Sequence, residues 1–186
     1  TDDVHRILLD APAVCGVMLR QHAYGDAIAV LRMVIQTLER QGGGASRKRK
    51  LYFLMLLVGA FRSAHLPEEL KNQLQELLLF FSDAERNEFG GAAYRLLSHV
   101  YLVQQNFPVA MAYAEKALVS FDNGAAPGEI AEVLYLLVKI HYAIGDISYR
   151  DHYAECERLC RESGSDQTLI RLQLHYVYIN SLQLGL

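Results

Sequence analysis

The sequence predicts an all-α chain, folded as a right-handed α-solenoid of about four antiparallel helix pairs closed by one further helix. Three observations predict it. Apolar residues recur at three-to-four spacing almost everywhere, as in Ala27, Leu31, Val34, Ile35 and Leu38. Val, Ile and Thr never form the alternating runs that a strand requires. Four short connections each place one apolar residue just ahead of a second helix, at Tyr24, Leu66, Phe107 and Ile147, about 40 residues apart each time. A helix pair recurring at that interval cannot cover its own apolar face, so each pair stacks on the next.

Taken in order, a first helix or pair of short helices is expected from about Val4 to Gln21, with Asp10-Ala11-Pro12 marking a start or a kink. The stripe from Ala27 to Leu38 is the second helix, and Gln41-Gly42-Gly43-Gly44-Ala45-Ser46 is the clearest loop. Leu51 to Ala64 is apolar on most sides and reads as a buried third helix; Pro67 opens a fourth, striped by Leu70, Leu74, Leu77, Leu78 and Phe81. Further helices are predicted over about Ala84–Gln104, Pro108–Phe121, Gly128–Ile144 and Ser148–Glu162, and a last one from Asp166, a good cap, to about Leu184. Short loops make neighbouring helices antiparallel. The whole reads as one domain over 1–186, with repeats near 4–41, 46–82, 84–122 and 127–163 and a final helix over 166–184.

Composition narrows the function classes. The chain has 186 residues, 52% of them hydrophobic and 21% charged, enough for a sizeable core and against wholesale disorder. A net charge of −3 argues against direct nucleic-acid binding by this domain, which needs a basic face to neutralise phosphates. The three cysteines, Cys15, Cys156 and Cys160, fit a reducing compartment, and the start lacks the basic and apolar segments of a signal peptide, so a cytoplasmic location is expected. The longest apolar run, Leu51 to Phe61, is too short to cross a bilayer. Absence of an initiator Met is expected to reflect processing or excision from a longer chain.

The stretch from Tyr94 to Leu118 resembles a tetratricopeptide (TPR) repeat. Tyr94 supplies the large residue early in the first helix, Leu97 and Ser98 the Leu and small residue one turn on, Tyr101 the aromatic, and Phe107 the aromatic at the turn. Ala110, Ala114 and Ala117 supply the small residues that let the two backbones approach where the helices cross. The first pair matches in part through Tyr24, Ala27, Leu31 and Val34. The fourth keeps Gly145-Asp146 and Ala154 but has Arg150 where a small residue is expected. The second matches least, with Leu66 in register and Leu70, Leu74 and Leu77 shifted by one. The interval exceeds the standard repeat of about 34 residues and is similar to the longer, degenerate repeats of bacterial transcriptional activators and signalling proteins.

That resemblance implies a groove lined by the first helix of each pair, in which a protein or peptide partner lies. Carried onto this chain, the candidates are Leu54, Val58, Phe61 and Arg62 from the second pair, Arg95, His99 and Leu102 from the third, and Tyr135, Lys139 and Tyr142 from the fourth. Aromatic, aliphatic and cationic side chains together suit a segment with apolar anchors and some acidic character; the competing reading is that several of them simply pack between helices. The carboxylate-gripping clamp of chaperone-binding TPR proteins is not expected, because Gly16, Val58, His99 and Lys139 stand at its places. The last helix, with Ile170, Leu172, Leu174, Tyr176, Val177, Tyr178, Ile179, Leu182 and Leu184, has few polar positions. Beyond covering the fourth pair it is expected to meet further chain, a second copy or a partner, and Tyr176, Ile179 and Leu182 are the candidates for self-association.

Signals for chemistry are weak. His152, Cys156 and Cys160 share a helix face and His141 lies near in sequence, but ligands over two turns of one helix span about 12 Å, too wide for one tetrahedral ion. Arg47-Lys48-Arg49-Lys50 reads as a solvated helix start rather than a phosphate or import signal. Neither a Gly-x-Ser-x-Gly elbow nor a phosphate loop is present. The expectation is therefore a non-catalytic module without metal or cofactor, the sensing or interaction part of a bacterial regulatory protein. A secretion-type chaperone for an unfolded effector and a small-molecule sensor closing over Tyr135 and Tyr142 are the alternatives.

Overall fold

The structure, a computed structural model, describes residues 2–41, 44–121 and 124–183; the side chains of 2–8, 41, 44–46, 180, 182 and 183 lie outside the description. The described residues form nine α-helices and no strand: α1 (Asp2–Arg20), α2 (Tyr24–Gln41), α3 (Gly44–Ser63), α4 (Pro67–Phe80), α5 (Asp83–Val103), α6 (Phe107–Phe121), α7 (Pro127–Ala143), α8 (Tyr149–Ser163) and α9 (Asp166–Gln183). The chain is all-α, as the periodicity predicts, and among the described residues no helix is long and apolar enough to cross a membrane. It divides into two compact units, Thr1–Phe80 and Phe81–Leu186.

In the first unit each helix packs on the next, and α1 also touches α3. The core is built from Cys15, Leu31, Val34, Leu38, Phe53, Leu57, Phe61 and Leu74. α1 runs unbroken through Pro12, where a start or kink was expected. α3 begins at Gly44, inside the predicted Gly-rich loop, because the Arg and Lys that follow are good helix formers. Its basic residues have local work: Arg47 donates to the Phe80 carbonyl at 2.8 Å and lies 4.7 Å above the Phe80 ring, while Lys50 pairs with Glu39 at 2.7 Å. Glu39 near the end of α2 meeting Lys50 early in α3, with Arg32 over Phe61 at 5.5 Å further along, makes this pair antiparallel.

In the second unit each helix again packs on its successor, and α7 additionally touches both α5 and α9. Contact between alternate helices is how stacked pairs bury what one pair leaves bare. Ala110, Ala114 and Ala117 are fully buried where α6 crosses its neighbours. The close approach of α5 and α6 shows at Gly91, where a Cβ would lie 2.4 Å from the Phe121 ring. α5 opens with a capping box: the Ser82 hydroxyl accepts from the Glu85 N–H while the Glu85 carboxylate accepts from the Ser82 N–H at 2.8 Å.

One turn geometry closes the first helix of each of the four pairs. His22, His65, Gln105 and Gly145 each adopt a left-handed conformation, with φ of 61°, 54°, 59° and 77°. After each, the next backbone N–H reaches back five residues: Ala23 to Met18, Leu66 to Phe61, Asn106 to Tyr101 and Asp146 to His141. These are Schellman closures of α1, α3, α5 and α7. They correct the register of the second pair, in which Pro67 rather than Leu66 stands where Tyr24, Phe107 and Ile147 stand in the others. An L side chain is strained in this conformation and glycine is not. Gln105→Gly should therefore raise, and Gly145→Ala lower, the stability to urea by roughly 0.5–1 kcal/mol each, read from the transition midpoints.

Candidate functional site

Helices α5, α7 and α9 lie side by side and run in the same direction. Arg95 of α5 meets Glu132 early in α7, and Glu132 meets Thr168 and Arg171 early in α9. α7 is apolar on most of its circumference: Ala131, Val133, Leu134, Leu136, Leu137, Val138 and Ile140 are buried. The remaining stripe carries Glu132, Tyr135, Lys139 and Tyr142, all half-buried, and α9 repeats that spacing with Thr168, Arg171, His175 and Tyr178.

Glu132 anchors one end of this face. Its Oε1 accepts from the Thr168 hydroxyl and from Arg171 Nη2, and its Oε2 lies 3.8 Å from Arg95 Nη1. Next along lies Tyr135, with the Arg171 guanidinium 5.2 Å and the Lys139 ammonium 5.7 Å from its ring centroid. The far end is aromatic: His175 stands edge-on to Tyr135 and Tyr142, at 6.3 and 5.7 Å, and stacks on Tyr178 at 6.5 Å. Lys139 has no carboxylate within ion-pair distance among the described residues.

The electrostatics follow from partial burial and an excess of cations. Lost water, and then Arg171, hold the Lys139 pKa below its ordinary value. Lost water and Lys139 lower that of His175. His99 is exposed at the edge of the face, yet its imidazole is also lowered, by desolvation first and then by Lys139, Arg95 and Arg171, with Glu132 opposing. Desolvation raises the Tyr135 phenol. Both imidazoles are thus neutral at pH 7.

Of the residues singled out in the sequence, Arg95, His99, Tyr135, Lys139 and Tyr142 come together here. Leu102 does not face outward; it is buried against Ala110, Leu136 and Ile140. Leu54, Val58 and Phe61 are buried in the first unit, whereas Arg62 is exposed. Sequence reasoning passed over Glu132, Thr168, Arg171, His175 and Tyr178. The signal that finds them is the shared three-four-three spacing on α7 and α9.

The remaining candidates are placed as follows. Cys156 and Cys160 are buried in the core between α7 and α8; the Cys156 thiol donates to the Ala131 carbonyl at 3.2 Å, and burial pushes both thiols up. The His152 ring lies tilted against that of His141, with centroids 5.0 Å apart. His141 in turn contacts Asp146 at 2.8 Å, and Asp146 caps the following turn. The Ser148 N–H and hydroxyl, with His141, hold the Asp146 carboxyl down at about 2. Among the described residues no three His, Cys, Asp or Glu side chains gather as a metal site. On α9, Ile179 is buried, Tyr176 is 43% exposed and packs on Tyr153 at 4.9 Å, and the Leu182 side chain lies outside the described residues. Ile170, Leu174 and Val177 are exposed on the same helix, at 55%, 65% and 65%. The first unit has an open cleft of about 570 Å³ floored by Ile35, Leu54 and Leu57, with Arg32, Glu39, Lys50 and Glu76 on its rim.

Removing the Lys139 charge should release both imidazoles. Lys139→Gln is expected to move the His99 and His175 titration midpoints upward in NMR pH titrations, with a circular dichroism spectrum that stays helical. Midpoints that do not move would show that the Lys139 charge is not among their causes.

No protein-family model matches the chain, and no curated protein does. Solved structures do match. The chain is similar to the aspartyl phosphate phosphatase F of Bacillus subtilis, with a TM-score of 0.78 and 14% identity over 94% of this chain and 45% of that one. It is also similar to BtubC (BKLC) of P. vanneervenii, with a TM-score of 0.65 and 11% identity over 98% of this chain and 83% of that one. This chain therefore spans a little under half the length of the phosphatase, and the likeness at these identities is one of helical-repeat fold.

Proposed function

We propose that the chain is a non-catalytic, TPR-like interaction module of a cytoplasmic regulatory protein, and that the face shared by α5, α7 and α9 binds a segment of a partner protein. The observation that carries this reading is the gathering of Arg95, His99, Tyr135, Lys139, Tyr142, Arg171 and His175 on one partly desolvated face. Aromatic rings and cations mixed in this way are the composition of interaction surfaces. The activity named for the phosphatase is not carried over: the Thr168 hydroxyl that lies against the Glu132 carboxylate is buried and shares that carboxylate with Arg171, and the thiols nearest the face are buried in the core. Selection of twelve-residue peptides from a random library on the immobilised protein tests the reading. Selected peptides should lose at least ten-fold in affinity on Arg95→Glu with Tyr135→Ala, while circular dichroism stays helical. Peptides indifferent to that variant would remove this face from consideration.

A second association is supported by the exposed Ile170, Leu174 and Val177, which recur at four-three spacing along α9. That seam matches a helix lying antiparallel to a second copy of itself. Light scattering should show a dimer that Leu174→Glu with Val177→Glu converts to a monomer. A monomer before substitution would discard the seam as a self-contact.

A further inference from the structure

We propose that the α5/α7/α9 face selects an acidic segment of its partner, and that one carboxylate of that segment seats beside Lys139, flanked by Arg171 and the imidazoles of His99 and His175. The inference rests on the reading of this face as a partner-binding surface and adds what it recognises.

Charge accounting leads to it. Glu132 already engages Arg171 and Thr168, and its field reaches His99. Lys139 has no carboxylate within ion-pair distance among the described residues, and the one charge that perturbs it is another cation, Arg171. Its neighbour is the Tyr135 ring, 5.7 Å away, a weak substitute for a counter-ion. A half-buried ammonium in the field of a guanidinium that Glu132 already pairs is itself left without a counter-ion, and an incoming carboxylate supplies the missing charge. His99 and His175, each within the field of Lys139, gain a proton more readily once that carboxylate is in place. Tyr142 and Tyr178 extend the site along the helices and offer apolar contact to the flanking residues of a segment, which a free anion would not use. A lysine gives a point charge suited to a single carboxylate; the forked donor that favours phosphoryl groups, Arg171, is already taken by Glu132.

The peptides selected on the full chain test this directly. They should be enriched in Asp and Glu, and replacing those residues by Asn and Gln should weaken binding at least ten-fold. Lys139→Gln should cause a similar loss, Lys139→Arg should retain most of the affinity, and Lys139→Glu should transfer the preference to Lys-containing versions of the same peptides. Binders that depend on Tyr135 but are indifferent both to the amide replacements and to Lys139→Gln would overturn the acidic preference and leave the partner-binding face standing. Binders indifferent to Tyr135, or no binders at all, would overturn both. Inorganic phosphate competing far more strongly than acetate would overturn the carboxylate assignment in favour of a phosphoryl group.

Discussion

A pair of antiparallel helices has two apolar faces and can cover only one of them internally; everything else in each unit follows from burying the other. In the second unit the burden falls on α7, which touches α5, α6, α8 and α9. Val133, Leu134, Leu136, Leu137, Val138 and Ile140 are all buried along it. At about 1.5–3 kcal/mol for each buried aliphatic side chain, no surface interaction of this helix competes with its packing. α7 therefore has one narrow stripe left over. Glu132, Tyr135, Lys139 and Tyr142 occupy it because the rest of the circumference is committed to the core.

The same constraint sets the electrostatics. Stacking brings α5 and α9 against the two flanks of α7, so the cations of three helices converge on one surface. Like charges at such range repel by a few kcal/mol at an effective dielectric near 20, and Glu132 is placed where it offsets part of that, under Arg171 and within 3.8 Å of Arg95. About two helical turns along, Lys139 has the Tyr135 ring and the field of Arg171 beside it and no carboxylate within ion-pair distance among the described residues. The lowered pKa values of Lys139, His99 and His175 thus share one cause, a row of basic groups partly withdrawn from water with a carboxylate at one end.

Much of this was legible in the sequence. Helices were readable because their stripes are long and their breaks are polar or Gly-rich. The crossing of α5 and α6 was readable because only small residues, Ala110, Ala114 and Ala117, permit it. The second pair slipped by one residue for a physical reason: Pro67 holds the place that the large apolar Tyr24, Phe107 and Ile147 hold in the others, and the apolar residue nearest to it, Leu66, stands one position earlier. The start of α3 was lost in a Gly-rich stretch, although four basic residues, good helix formers, follow it. Leu54, Val58, Phe61 and Leu102 were candidates for the face and lie in the core, since an apolar side chain suits either environment. Arg95, Tyr135 and Lys139, named as groove residues together with those leucines, do come together on the face, since a charged or half-polar side chain keeps its head at the surface. The α9 contributors were hidden by the apolar residues around them; Arg171 and His175 stand out only once α9 is set beside α7.

Stacking also explains why likeness of fold leaves function open. A backbone shared with the phosphatase at 14% identity requires that buried positions stay apolar and crossings stay small, and many sequences meet that requirement. Positions on the α7 stripe are outside it. Replacing Lys139 by another long polar residue would leave Val138 and Ile140 packed as they are, so the fold places no demand on a cation there. A lysine that the packing does not need, set in a partly desolvated site beside an arginine, lowers stability through repulsion and returns nothing to the core. Such a residue is most simply explained by something that binds it, and the chemistry of that something is fixed by the charge it must bring.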